Sequence, residues 1–225
     1  HINGQYTWEG QPSISADNKT LYFASARGED NFGGMDLYKT ERQEDGSWGP
    51  AINLGPSVNT KGNEKSPFMH SDSYTLYFSS DGHPGIGGQD IFFVRTNKFG
   101  SFDTPVNLGS PINTEEDEHG FMVSTDGHYG YFSSDMGEKG LDIYYFELPE
   151  EYRPKEIIFL KGSIASNDPD AAKGMSVELK NTATTEVIAG VVDEENGEYV
   201  AVISATEEQD VMMMAKKTGY AFTSQ

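Results

Sequence analysis

The residues with the most obvious chemical potential are acids that return at fixed places. Asp36, Asp90 and Asp142 each follow a glycine stretch, within Gly33-Gly34-Met35-Asp36, Gly87-Gly88-Gln89-Asp90 and Lys139-Gly140-Leu141-Asp142, at intervals of 54 and 52 positions. Three equivalent carboxylates could line a metal site or act in acid–base catalysis. They could equally accept backbone N–H bonds from the glycine loop ahead of them and fix a tight turn. Recurrence in every copy favours the turn, because one active site does not need three equivalent copies. Asp17, Asp72 and Asp126 form a second series in the first turn of each copy. His1, His70, His83, His119 and His128 make no H-E-x-x-H or other close metal pair. There is no G-x-S-x-G nucleophile elbow, and cysteine is absent, so neither a thiolate nucleophile nor a disulfide is available. No catalytic residue, resident metal or other cofactor is expected. Calcium would suit clustered oxygens, but no calcium-loop spacing is present.

These acids sit on an internal repeat. Gln11–Asp17 is echoed by Lys65–Asp72 and Gly120–Asp126. Aromatic strands follow as Leu21-Tyr22-Phe23-Ala24-Ser25, Leu76-Tyr77-Phe78-Ser79-Ser80 and Gly130-Tyr131-Phe132-Ser133-Ser134, and after them come the glycine loops. A period in the fifties is the size of a propeller blade. Each copy offers four short β-rich runs, in the second copy Ser66–His70, Thr75–Ser80, Asp90–Thr96 and Pro105–Leu108, separated by turn residues. The expected architecture is all-β: three four-stranded blades of a partial β-propeller over residues 1–147, a linker over 148–154, and a small β-sandwich over 155–225. Tyr22, Tyr77 and Tyr131 are expected to pack between blades, with Trp48 and Phe102 as structural equivalents.

The S-x-D-x-x-x-(L)-Y-F-S-S core, the G-G-x-D-(I/L)-(Y/F) core and the tails Asn53-Leu54-Gly55-Pro56-Ser57-Val58-Asn59-Thr60 and Asn107-Leu108-Gly109-Ser110-Pro111-Ile112-Asn113-Thr114 resemble the TolB-like, WD-repeat-like propeller repeat of OmpA-family envelope proteins in Bacteroidota. Typical propellers have four to eight blades, so three imply that further blades precede residue 1. The first-turn aspartates resemble the sialidase Asp-box in position, but its Trp and Gly are absent and the arginines are scattered. Past the linker, Lys161-Gly162-Ser163-Ile164, Gly174-Met175-Ser176-Val177-Glu178-Leu179, Asn196-Gly197-Glu198-Tyr199 and Lys217-Thr218-Gly219-Tyr220 resemble the carboxypeptidase-regulatory-like, transthyretin-like fold. Strands are expected at Ile157–Ile164, Met175–Leu179, Glu186–Val192, Glu198–Ile203 and Val211–Ala215, with turns at Asn167-Asp168-Pro169, Asn196-Gly197 and Thr218-Gly219. The domain order resembles that of the outer-membrane tethering subunits of type IX secretion. That resemblance implies a periplasmic, outer-membrane-associated protein, tethered to peptidoglycan through a domain beyond this chain.

Formal net charge is −20, which argues against nucleic acid as a partner. No apolar run approaches the roughly 18 residues of a membrane helix, and His1-Ile2-Asn3-Gly4 lacks the features of a signal peptide. If the first run of each copy is the innermost strand, the glycine loops share one face with the connectors between blades. That face would carry Glu29, Asp30, Phe32, Asp81, His83, Glu115, Glu116, Asp117, Glu118 and His119. Exposed loops on a rigid scaffold are where binding usually sits. The expected function is a non-catalytic scaffold whose loop face binds outer-membrane or periplasmic proteins. The alternatives are a glycan-binding propeller of a polysaccharide-capture system, with Phe32 as a stacking platform, and a hydrolase working through channel carboxylates.

Overall fold

The computed structural model describes residues 2–4, 7–28, 30–97, 100–137, 140–164, 170–182, 187–205, 210–217 and 223–224, the last pair by backbone alone. The chain divides into two compact units that part between Pro154 and Lys155.

The first unit is built from successive antiparallel sheets. The first comprises β1 (Glu9–Ile14), β2 (Thr20–Ser25), β3 (Asp36–Glu41) and β4 (Ile52–Asn53); the second comprises β5 (Glu64–Met69), β6 (Thr75–Ser80), β7 (Asp90–Arg95) and β8 (Val106–Asn107). Both run in simple up-and-down order, the arrangement of a propeller blade. The third sheet holds three strands, β9 (Glu118–Val123), β10 (Tyr129–Ser134) and β11 (Asp142–Glu147), where four were expected. The third copy lacks the Asn-Leu-Gly tail. Its chain turns instead through Leu148-Pro149 into a short 3-10 turn at Glu150–Tyr152, and Pro149 has no N–H with which to continue a ladder. The joining stretch 148–154 lies against the blades: Leu148 is fully buried, Tyr77 Oη donates to the Tyr152 carbonyl, and Arg95 donates to the Glu151 and Arg153 carbonyls.

Equivalent registers recur in each blade. Glu9 faces Ser25, Glu64 faces Ser80 and Glu118 faces Ser134, and each innermost strand then slips register. At the slip, Gln11, Ser66 and Gly120 all adopt positive φ. This left-handed conformation is open to glycine and strained for the other two residues. Gln11 and Ser66 are tied to each other by two hydrogen bonds of 2.9 Å.

The core lies between blades. Tyr22, Ala24 and Leu37 meet Met69, Leu76, Phe78, Phe92 and Val94. One blade further on, Tyr77, Ile91 and Phe93 meet Phe121, Val123 and Phe132. Strands covered on both faces explain the unbroken apolar runs Leu76-Tyr77-Phe78 and Ile91-Phe92-Phe93, and burying each such side chain contributes roughly 1.5–3 kcal/mol. Tyr22 and Tyr77 are buried as expected, but Tyr131, at the same register of the third blade, is exposed.

The second unit is one six-stranded sheet in the order β12 (Ile157–Ser163), β15 (Glu198–Ser204), β14 (Val187–Val192), β13 (Met175–Asn181), β16 (Val211–Lys217), β17 (Thr223–Ser224). The sheet curls at β14, which pairs with β13 through Val187–Gly190 and with β15 through Val191 and Val192. Val177, Leu179 and Ala201 are buried inside. At the Asn196-Gly197 hairpin, Gly197 takes positive φ and Asn196 Oδ1 accepts the Glu198 N–H. The turns expected at Asn167-Asp168-Pro169 and Thr218-Gly219 lie outside the described residues.

Candidate binding face

The first two glycine loops dock on the connector leading to the next blade. Gly34 N–H donates to the Gly62 carbonyl at 2.8 Å and Gly88 N–H to the Glu116 carbonyl at 3.3 Å. A Cβ at Gly33 would run into the Thr60 and Gly62 carbonyls, and one at Gly87 into those of Thr114 and Glu116, so these approaches require glycine. Met35 and Asn63 bridge in parallel, and the Glu64 and Glu118 N–H groups donate to the Met35 and Gln89 carbonyls. Loops and connectors therefore share one end of the blades.

The first two repeat aspartates hold this end together. Asp36 accepts the Phe32 N–H at 2.8 Å, the Gly33 N–H at 3.3 Å and Asn53 Nδ2 at 2.7 Å. Asp90 accepts the Ile86 N–H, the Gly87 N–H and Asn107 Nδ2 in the same pattern. Asn59 and Asn113 act alongside them, each bonding both backbone groups of a strand residue, Leu37 and Ile91 respectively. Asp142 differs: it is exposed, and among the described residues its carboxylate accepts no hydrogen bond. The loop ahead of it includes positions outside the described residues.

A third repeated acid heads each innermost strand. Glu64 accepts the Thr60 N–H, Thr60 Oγ1 and Ser80 Oγ, and Glu118 accepts the Thr114 N–H, Thr114 Oγ1 and Ser134 Oγ. Both are fully buried. Burial pushes the Glu64 carboxyl above the usual carboxylate range despite these bonds, and it does the same at Glu118, where the Asp90 charge adds to it. Glu9 holds the same register. There burial is outweighed by hydrogen bonds from Thr7 and Ser25 and by the Arg27 charge, so its pKa falls. The spacing Asn-Thr-x-x-x-Glu, present at Asn59–Glu64 and Asn113–Glu118, was the signal for this series.

The expected face residues therefore separate. Glu118 is a buried strut and not a surface ligand. His83 Nε2 lies 2.7 Å from the Val58 carbonyl, with its ring against Phe78 and Phe92. Asp81 accepts the Asn63 N–H at 2.6 Å and Asn63 Nδ2 at 2.8 Å. Burial raises its pKa, but these bonds outweigh it and hold the carboxyl below the usual range. Asp30 accepts the Tyr38 hydroxyl at 2.6 Å, and burial together with that neighbour pushes the phenol far up. Asp117 accepts the Gln89 N–H at 2.7 Å and lies 3.8 Å from the half-buried His119. Glu115 and Glu116 are exposed, and among the described residues neither carboxylate has a partner. Phe32 is exposed at its loop tip, and Ile86 stands at the same place in the second blade. Glu29 lies outside the described residues.

This end of the blades thus offers uncommitted acids beside two apolar tips. The buried acids point their oxygens into the scaffold. No group of three or more His, Asp or Glu among the described residues could hold a metal ion. A cavity of about 730 Å³ lies elsewhere, lined wholly by second-unit residues that include Phe159, Lys161, Asp193 and Tyr199.

No family model and no curated protein matches the chain. Solved structures similar to it include TolB from Acinetobacter baumannii, at 13% identity and a TM-score of 0.45 over 90% of this chain and 44% of that one. A periplasmic gluconolactonase, PpgL, from Pseudomonas aeruginosa matches at 11% identity and 0.38 over 95% and 66%. A puromycin hydrolase complexed with PGG matches at 11% and 0.35 over 81% and 33%. The chain spans less than half the length of the TolB structure. The blade architecture rests on the strand order and registers given above.

Proposed function

We propose that this chain is a non-catalytic binding and scaffold module of the cell envelope, whose blade loops engage an outer-membrane or periplasmic protein. The observation that carries this reading is how the acids divide. Asp36, Asp90, Glu64 and Glu118 spend their acceptor capacity on backbone N–H groups, hydroxyls and amides of the scaffold. Glu115 and Glu116 stand free at the same end, close to Asp117. A rigid frame with an acidic loop surface steers and orients a partner carrying basic groups. The repeat's resemblance to envelope propellers supports a periplasmic location associated with the outer membrane. The resemblance of the second unit supports membership in a peptidoglycan-tethered OmpA-family protein of the type IX secretion kind.

Charge reversal tests this without disturbing the frame. Glu115→Lys with Glu116→Lys should leave the melting temperature unchanged, since neither carboxylate bonds the scaffold. It should abolish co-purification of the envelope partner from detergent-solubilised membranes. Unaltered co-purification would sink the loop-face reading. Removing the whole Ser110–His119 segment would not be a clean test, because it also removes buried Ile112, Asn113 and Glu118.

A glycan platform remains the second reading, because Phe32 is exposed as stacking would require. The equivalent tip in the neighbouring blade is Ile86, which offers no π-face, so the two tips make no aromatic pair. Titration with cell-surface polysaccharides, read by quenching and by loss on Phe32→Ala, separates this reading from protein binding.

A further inference from the structure

The second unit carries a groove that the loop-face reading leaves unused. Its volume of about 730 Å³ lies within the roughly 300–1,000 Å³ of small-ligand sites. Side chains alternate across a sheet, and the strand registers put the lining on one face. Lys161 faces Val200, and Val200 faces Val191. One row further along, Ser163 faces Glu198, and the Asp193 N–H donates to the Glu198 carbonyl at 2.8 Å. One row the other way stands Phe159. Tyr199 turns its ring to the opposite face, where it covers Gly162 and its hydroxyl donates to Met213 Sδ at 3.2 Å.

Charge divides between the two ends of this groove. The Lys161 ammonium lies over the Phe159 ring, 5.9 Å from its centroid, and makes no ion pair among the described residues. At the other end, Asp193 Oδ1 accepts the Glu195 and Asn196 N–H groups, while Oδ2 accepts no bond among the described residues. Glu198 accepts only a long bond, 3.4 Å, from Asn196 Nδ2. Val191 and Val200 form an apolar floor between the ends. From the Phe159 row to the Ser163 row the strand advances roughly 13 Å, at about 3.3 Å per residue. An extended tetrapeptide spans about the same, roughly 13–14 Å, and carries an ammonium at one end and a carboxylate at the other.

We propose that this groove binds a free peptide of about four residues with apolar central side chains. Its amino terminus lies against Asp193 and Glu198, its carboxylate against Lys161, and its central side chains on Val191 and Val200. The proposal stands apart from the loop face and from its partner. The experiment titrates the intact chain with the peptide Ala-Leu-Leu-Ala and follows backbone amide chemical shifts. Saturable shifts should centre on Lys161, Val191, Glu198 and Val200. Acetylating the amino terminus, amidating the carboxylate, or shortening the peptide to Leu-Leu should each weaken binding roughly tenfold, since each removes a charge-assisted contact. Lys161→Gln should weaken the free peptide by the same factor and abolish the penalty of amidation while keeping that of acetylation. Asp193→Asn with Glu198→Gln should do the reverse, and Asn at 193 keeps an acceptor for the turn. All three side chains are exposed, so the fold should survive, which circular dichroism checks. The absence of saturable shifts at about 10 mM peptide overturns the proposal. So do shifts centred outside the groove. Equal affinity for the free and the doubly blocked peptide also overturns it, because the groove would then read apolar side chains alone.

Discussion

Replacing Asp36 by alanine removes three bonds at once: two from loop N–H groups at 2.8 and 3.3 Å and one from Asn53 at 2.7 Å. Hydrogen bonds to a charged group contribute about 1.5–3 kcal/mol each, less when stretched, and the freed Asn53 amide and loop N–H groups lose their acceptor. The expected cost of Asp36→Ala is therefore about 3–5 kcal/mol, against a total domain stability of about 5–15 kcal/mol. Asp90→Ala should cost about 2–4 kcal/mol, since two of its three bonds are long, at 3.4 Å. Asp142→Ala, at the same repeat position but exposed and unbonded among the described residues, should stay within about 0.5 kcal/mol. Urea denaturation followed by far-UV circular dichroism measures all three variants. Both tryptophans, Trp8 and Trp48, lie in the first-blade region, so their fluorescence gives a local reading for Asp36. The reasoning fails if Asp142→Ala costs as much as Asp36→Ala, or if Asp36→Ala costs less than about 1 kcal/mol.

Two pH effects of opposite sign follow from the buried acids. Asp72 is buried, which raises its pKa, but bonds from His70, Tyr74 and Thr75 hold it below its ordinary value. Its stabilisation is therefore present above about pH 4 and lost as the pH falls through the folded value. Asp72→Asn should be destabilising at neutral pH and converge with the unaltered protein in acid, as melting curves across pH would show. Glu64 is raised, so the fold favours its protonated form, and its contribution falls as pH rises through the folded value. Glu64→Gln should flatten that loss; a pH–stability curve identical to the parent's would contradict the assignment. Leu148→Ala should cost about 2–4 kcal/mol and loosen the second and third blades together, because Leu148 is packed with Tyr77, Phe121 and Phe132. Hydrogen exchange on β7 and β10 measures that coupling.

The blades were readable because their repeat sets both strand register and turn chemistry, and three copies in parallel suppress accidental patterns. Asp36 and Asp90 could be placed as turn-holding acids for the same reason. Glu118 was misplaced because it ends an acidic run, Glu115-Glu116-Asp117, that reads as one exposed loop. It is in fact the first residue of β9, and hydroxyls of Thr114 and Ser134 pay for its burial. Only alignment with Glu64 across the connectors could have shown this. Nothing local in the sequence signals that the His83 ring turns inward over Phe78 and Phe92. The burial of a strand tyrosine depends on what packs against its blade, which no single copy of the motif encodes, so Tyr131 reads like Tyr22 and Tyr77 although it is exposed. The apolar tip at Ile86 has no signal of its own in the sequence, because only its aromatic counterpart, Phe32, is distinctive by residue type.

The central claim is that the glycine-loop end meets a protein partner in the envelope. A photo-crosslinking amino acid at position 115 or 116, compared with one at position 45 in the turn between β3 and β4, tests it directly in intact cells. The account predicts a discrete crosslinked band from positions 115 and 116 and none from position 45. Equal crosslinking from all three positions, or none from any, would contradict it.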